Sequence, residues 1–309
     1  MNSLIDVLVL GGGPDAERAV SLVSSRAVAD ALGGVPGYRA HYAVIERISG
    51  AELGAMPGRV IFPVLHGAYG EGGPLQDLLV ADGRPFVGCG PLAARMAMDK
   101  LATKVAAARI GVPTAACAAF NGADPGCPLA FPVVMKPVHE GSSVGVHFAR
   151  NAAEWERAHG LVLADQAAHP RRGYMIERAI LGGRELTVGL IDGKALAPIE
   201  IKPAVAFYDY EAKYHSDDTR YLTDPDLPTG VKPAIQKYAE RLFAELGCRH
   251  LARADFILDS SGEPWLLEIN TMPGFTGHSL LPMAAGHAGL SFGALAAKLV
   301  ELAMRDGTA

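Results

Sequence analysis

The stretch Cys248–Gly274, CRHLARADFILDSSGEPWLLEINTMPG, reads as a β-hairpin running into a loop, and the rest of the chain is read outward from it. Arg249–Leu258 and Glu263–Asn270 are apolar and strand-like, and Asp259, Ser260, Ser261 and Gly262 supply turn chemistry between them. Alternate residues of a strand share a face, so Arg253 points with Asp255, and Glu268 with Asn270. A hairpin symmetric about Ser261–Gly262 sets Asp255 opposite Glu268 and Arg253 opposite Asn270. Two carboxylates facing each other repel, so such a face calls for a counter-ion. Oxygen ligands from Asp, Glu and Asn suit Mg²⁺, which commonly arrives with nucleotide phosphates. The competing reading is the wet side of an ordinary antiparallel sheet, with Leu267 and Ile269 as its alternating apolar partners.

The chain has 309 residues, half of them hydrophobic, enough for a sizeable core and two or three domains. A formal net charge of -5 with no basic tract argues against a nucleic-acid-binding surface. Cysteines at 89, 117, 127 and 248 form no CxxC pair, so neither a disulfide framework nor a cysteine zinc site is indicated. The apolar run Leu4–Leu10 is too short to span a membrane and has no basic leader. A soluble cytoplasmic enzyme without nucleic-acid or membrane partners is the expectation.

Residues 5–10 read as a buried strand, followed by Gly11, Gly12, Gly13 and Pro14 and then a helix from Ala16 to Leu32. Apolar residues at 20, 23, 27, 28, 31 and 32 predict its buried stripe, closed by Gly33. Gly11, Gly13 and Ala16 satisfy the loose dinucleotide fingerprint, but no acid sits about 20 positions on to hold a ribose. Glu17 at the helix start either holds a substrate ammonium or serves as an ordinary first-turn acid. Strand 59–65 ends in His66-Gly67 and a glycine-rich loop, where open α/β sheets bind ligands; His66 acts on substrate or caps the loop. Asp99 is an N-cap, and Lys100 in the first turn calls for a bound anion or reaches solvent.

Phe131–Met135 is a strand ending in Lys136, ahead of Glu140-Gly141-Ser142-Ser143-Val144-Gly145. Small residues there let backbone N–H groups approach phosphate, and the lysine adds fixed charge; a plain Gly-Ser turn is the alternative. No P-loop motif occurs. Asn151 and Glu154 predict a capping box for a helix ending near Ala168. Segments 185–191 and 195–201 form a hairpin across Asp192-Gly193. Residues 203–230 read as one long polar, aromatic loop, the usual form of a lid, carrying Lys213 and Tyr214. Helix 231–246 leads back to the central hairpin. Ser279 begins a helix whose N-terminus suits a carboxylate, and 291–305 is a closing amphipathic helix.

Taken together these stretches resemble the ATP-grasp superfamily and, within it, the D-alanine–D-alanine ligase family. The carrying motifs are AERAVS at 16–21, LHGAYGE at 65–71, MDK at 98–100 and MKPVHEGSSVG at 135–145. YDYEAKY at 208–214, RAD at 253–255 and LEINTMPG at 267–274 complete the series in family order. The resemblance implies an N-terminal doubly wound α/β domain (1–95), a central α+β lid (96–180) and a C-terminal antiparallel domain (181–309) with lid loop 203–230. It implies ATP between the last two sheets, with Lys100, Lys136 and Ser143 at the phosphates, Glu177 at adenine and Glu185 at ribose. Lys213 would reach the γ-phosphate, and Asp255, Glu268 and Asn270 would carry two Mg²⁺ ions, or Mn²⁺. Glu17 would face the first D-alanine in a triad with Ser142 and Tyr214. His66 would bind substrate, Ser279 and Leu280 would receive the carboxylate of the second D-alanine, and Arg253 and the Gly274 N–H would face the oxyanion. A homodimer is implied as well. The implied reaction is phosphorylation of one D-alanine carboxylate, then attack by the second amine, serving peptidoglycan precursor synthesis.

Three departures stand out: Gly72 where the family usually has Asp, Pro14-Asp15 where a Ser or Thr pair is common, and a Glu177–Glu185 spacing one residue longer than expected. The rival readings are a ligase taking D-lactate or D-serine second, an NAD-dependent oxidoreductase favoured only by the first glycine turn, and a non-catalytic ATP-binding module.

Overall fold

The computed structural model describes residues 4–141, 144–202 and 219–307. Ser142, Ser143, Lys213 and Tyr214, and most of the expected lid loop, lie outside the described residues. Strand β1 (Ile5–Gly12) is buried from Val7 onward and lies between two parallel neighbours, β2 (Tyr38–Ile45) and β3 (Val60–Pro63). A strand covered on both faces needs no polar alternation, which is why IDVLVL reads as one apolar run. Helix α1 (Arg18–Gly33) covers the sheet, and α2 (Gly50–Gly54), α3 (Gly67–Gly70) and α4 (Pro74–Asp82) follow the strand ends. Helices α5 (Pro91–Met98) and α6 (Lys100–Arg109) lead out of this layer.

The buried face of α1 differs from the apolar stripe. Ser21, Ser24, Ser25, Val28, Ala29 and Leu32 are buried, whereas Val23 is 61% exposed. Each serine has a reason to be inside. Ser21 Oγ accepts from Gly12 N (2.9 Å) and donates to Val64 O (2.5 Å), and Ser24 Oγ accepts from Phe275 N (3.1 Å). Ser25 lies so close to Gly11 that a Cβ there would sit 1.9 Å from its Oγ. The hydroxyls are satisfied, and a larger residue would not fit. Val20 and Val23 are thereby left to face the cleft described below.

A second sheet has strand order β4-β7-β5-β6, all antiparallel: β4 (Cys117–Ala119), β5 (Val133–Pro137), β6 (His147–Ala149) and β7 (Tyr174–Arg178). Helix α7 (Ala152–Ala168) packs on it through Trp155, Ala158 and Val162, and Asn151 caps it by accepting from Glu154 N at 3.0 Å.

The third sheet is antiparallel, ordered β11-β10-β8-β12-β13 with β9 against β8. Its strands are β8 (Arg184–Ile191), β9 (Lys194–Ala195), β10 (Ile199–Lys202), β11 (Arg220–Thr223), β12 (Leu251–Leu258) and β13 (Pro264–Asn270). Asp192 and Gly193, both at positive φ (52° and 71°), make the expected two-residue hairpin turn. Strand β11 corrects the reading of 203–230 as loop throughout, since Arg220–Thr223 pairs with β10 and covers its edge. Four residues carry too little periodicity to announce a strand, and the partner supplies the order. Helix α8 (Val231–Glu245) covers one face of this sheet. Helix α9 (Leu280–His287) turns into α10 (Phe292–Asp306), which packs in one core with β1, β3 and α1.

The β12–β13 hairpin pairs Asp255 with Glu268 and Arg253 with Asn270, as its symmetry predicts, but the symmetry is not continuous. Near the turn Leu258 faces Pro264 and Phe256 faces Leu266, one residue out of step. Leu267 is the extra residue of a β-bulge, which flips the later side chains to the opposite face. Leu266 and Ile269 both enter the core as a result, and Glu268 and Asn270 turn to the cleft. Without the bulge Glu268 would share the buried face of Leu266.

Candidate active site

A cleft of about 860 Å³ opens between the three layers. Its floor is the face of β12 and β13 that carries Arg253, Asp255, Glu268 and Asn270. Asp255, 7% exposed, accepts from Arg253 Nε and Nη2 at 2.9 and 2.8 Å and from Thr187 Oγ1 at 2.6 Å. Glu268 meets Lys100 Nζ at 3.2 Å, and Asn270 Oδ1 accepts from Met272 N at 2.9 Å. The counter-ions that facing carboxylates call for are therefore present as Arg253 and Lys100. The donor set on this face is all oxygen, from two carboxylates and an amide, which fits Mg²⁺ or Mn²⁺ and not a softer metal.

At the other wall, Glu17 is the N-cap of α1 and approaches the glycine-rich loop: a Cβ on Gly141 would lie 3.1 Å from Glu17 Oε2. His66 makes no capping bond to α3; its Nδ1 lies 2.9 Å from Met272 O, and it lines the cleft. A carbonyl only accepts, so Nδ1 carries the proton and Nε2 presents a lone pair. Burial draws the His66 pKa below its ordinary value, against Glu17, so the ring is neutral. Glu71, five residues after His66, joins the same contact. It accepts from Gly67 N and Met272 N, both at 3.2 Å, and burial together with Glu17 pushes its carboxyl well above the usual range. His66 and Glu71 thus hold both main-chain groups of Met272, two residues beyond Asn270. The signal available in sequence was the six-residue reach from His66 to Glu71 across glycines.

The Gly72 departure has a steric cause. A Cβ on Gly72 would lie 2.4 Å from Ala68 O, so an aspartate does not fit this backbone. Asp15, in place of a hydroxyl residue, accepts from Tyr69 N at 2.8 Å and so caps α3 from outside. Ser279 and Leu280 line the cleft at the start of α9, where Ser279 Oγ accepts from Thr276 N at 3.0 Å. Gly274 approaches the same hydroxyl, with room for a Cβ only at 3.1 Å from it.

Glu185 lines the cleft from β8. Lys136 and Glu177 lie together on the second sheet: Lys136 Nζ is 2.5 Å from Glu177 Oε2, and Lys104 of α6 pairs with Oε1. Burial works to raise Glu177, but Lys136 and Lys104 outweigh it and hold the carboxyl below its usual range. Lys104 escaped the sequence reading because a lysine within a helix resembles any solvated one.

The first glycine turn does not receive an anion. Gly12 N is taken by Ser21 Oγ and Gly13 N by Ile45 O (2.8 Å), and Arg18 Nη1 caps Gly13 O and Ile45 O at 2.8 and 3.0 Å. A dinucleotide would find no free donors at those two glycines, and the oxidoreductase reading gives way.

Two antiparallel sheets facing across a cleft, with paired acids on one and a glycine-rich loop with a lysine on the other, define an ATP-grasp fold beside a doubly wound N-terminal layer. The family described as D-ala D-ala ligase C-terminus matches residues 126–301. The D-alanine--D-alanine ligase of Bordetella parapertussis is 41% identical over 303 residues, covering 96% of this chain and 94% of that one. The crystal structure of D-alanine--D-alanine ligase from Bacillus anthracis superposes with a TM-score of 0.82 at 28% identity, covering 98% of each chain. The same enzyme complexed with ATP gives 0.80 at 27%, again covering 98% of each. The chain belongs to the D-alanine–D-alanine ligase family. Among the described residues no single helix is long and apolar enough to cross a membrane.

Proposed function

We propose that this enzyme joins two D-alanines with ATP to give D-alanyl-D-alanine, ADP and phosphate, in the cytoplasm and as a homodimer, for peptidoglycan precursor synthesis. The observation that carries the reading is the Asp255–Glu268 pair across the bulged hairpin, beside Arg253, Asn270 and Lys100 on one cleft wall. Asp255, Glu268 and Asn270 would hold Mg²⁺, which supplies neutralising charge to the ATP phosphates. Phosphoryl transfer to a carboxylate is chiefly positioning and charge neutralisation, so Lys100, Lys136 and Ser143 flank the phosphates and Lys213 reaches the terminal one. Glu177 receives the base and Glu185 the ribose. Glu17, with Ser142 and Tyr214, holds the ammonium of the first D-alanine.

The second amine must be neutral to attack the acyl phosphate, and the His66 Nε2 lone pair is where its proton goes. The start of α9, at Ser279 and Leu280, receives the second carboxylate. Arg253 and the Gly274 N–H face the oxyanion of the tetrahedral intermediate. An acyl phosphate hydrolyses readily, so segment 203–230 excludes water while it exists. The working units are 1–95, 96–180 and 181–309. Its partners are D-alanine and ATP, with no nucleic acid or membrane.

The test is D-alanine-dependent release of phosphate from ATP, with product identification when D-lactate or D-serine competes. The dipeptide D-alanyl-D-alanine is expected, and a predominant depsipeptide or mixed D-Ala–D-Ser product overturns the specificity.

A further inference from the structure

Lys104 is 2% exposed and sits one helical turn after Lys100, on the same face of α6. Its ammonium has three donors and three acceptors within reach: the Glu177 carboxylate, Thr114 Oγ1 at 2.5 Å and Ala115 O at 3.3 Å. Thr114 Oγ1 in turn lies 3.3 Å from Leu266 O, beside the bulge that aims Glu268, and Leu266 N donates to Pro113 O at 2.8 Å. Lys104 is thus anchored on the second sheet directly and linked to the third through Thr114. Lys136 differs: it is 12% exposed, at the end of β5 where the glycine-rich loop begins, with its ammonium on Glu177 Oε2.

Lys104 is the more buried and more fully bonded of the two, and Lys136 is the one at the edge of the glycine-rich loop. A buried carboxylate left with no cation would take up a proton and become a donor as well as an acceptor. Among the described residues, the charged or titratable groups around Glu177 are Lys104 from α6, Lys136 from β5 and Cys117, its neighbour on β4.

We propose that Lys104 is a positioning residue for nucleotide selection: it stays on Glu177 and keeps that carboxylate a pure acceptor when Lys136 moves to a phosphate. An ionised carboxylate suits the 6-amino donor of adenine and repels the 6-oxo acceptor of hypoxanthine or guanine. The inference rests on the reading that Glu177 receives the base, and the experiment separates the two.

Steady-state kinetics with ATP and with ITP are measured for the wild type, K104Q, K104R, E177Q and K104Q/E177Q. K104Q is expected to raise KM for ATP about tenfold, the equivalent of one charge-assisted hydrogen bond, with a smaller effect on kcat. Its preference for ATP over ITP shrinks by a similar factor, KM for D-alanine holds, and K104R restores the preference. The loss in K104Q grows as pH falls from 9 to 6, because protonation of Glu177 is no longer opposed. K104Q/E177Q buries no unpaired carboxylate, so it gives the answer even if K104Q does not fold: its base preference should equal that of E177Q. A double variant that departs from E177Q, or a K104Q that is merely less heat-stable with normal base preference, overturns the role of Lys104. If E177Q itself leaves the preference unchanged, the assignment of Glu177 to the base falls, and the proposal with it.

Discussion

Two buried histidines tie the N-terminal layer to the third sheet, and they do so with opposite polarity. His66 donates from Nδ1 to Met272 O and keeps a buried Nε2 lone pair that no described group takes up. His250 accepts at Nδ1 from Gly88 N at 3.0 Å, so its proton is on Nε2, 3.4 Å from Asp306. Both rings are held neutral by burial, His250 with a pKa drawn down to about 4. The same side chain is left with an unpartnered lone pair in one joint and is met at both nitrogens in the other. The difference is made by which main-chain group meets Nδ1 and by whether a carboxylate stands opposite Nε2.

The largest expected effect tests whether chemistry belongs to the cleft joint alone. Glu268→Gln removes a charge from the floor of the cleft and should lower turnover about 1000-fold, the upper range for losing a group that stabilises transition-state charge. Circular dichroism should show it folded, and near-normal phosphate release would dismiss the metal face.

His66→Gln keeps a donor for Met272 O but has no basic nitrogen, and kcat/KM should fall about 100-fold, the low end for loss of a general base. In the wild type the acid limb of kcat/KM should lie below the ordinary histidine value of about 6.5, because burial lowers the His66 pKa. An acid limb above that value would show that the ring is not the group titrating.

His250→Asn should leave that profile in place and change stability instead. Asparagine tolerates the positive φ of 61° and can accept from Gly88 N. The folded pKa of His250 is depressed, so the unfolded chain binds the extra proton between about pH 6.5 and about 4. Stability is therefore whole above pH 6.5 and declines as pH falls toward 4, by about 3 kcal/mol at most. Denaturant unfolding of the variant should show a shallower decline, the part left to His66, and an equally steep one would move its origin elsewhere.

The smallest effect is expected at Thr187→Val, which removes the hydroxyl donating to Asp255 Oδ1. Mg²⁺ needed for half-maximal activity should rise about tenfold, as for other groups that orient a metal ligand, with kcat at saturating Mg²⁺ nearly kept. A lower kcat with the same Mg²⁺ requirement would assign Thr187 to substrate.

Much was legible in the sequence by itself: the facing of Asp255 and Glu268 on a hairpin, the strand–glycine–helix opening, the caps at Asp99 and Asn151, and motifs enough to name the family. These are local facts, set by alternation along a strand, by turn residues and by helix ends. The tertiary structure decided the rest. It inserted the bulge at Leu267 that turns Glu268 out of the core, and it buried Ser21, Ser24 and Ser25 of α1 in place of Val20 and Val23. It also brought Lys104 to Glu177 and gave two histidines opposite tautomers. Each of those depends on a partner remote in the chain that offers a donor, an acceptor or room for one atom, and no local periodicity records it.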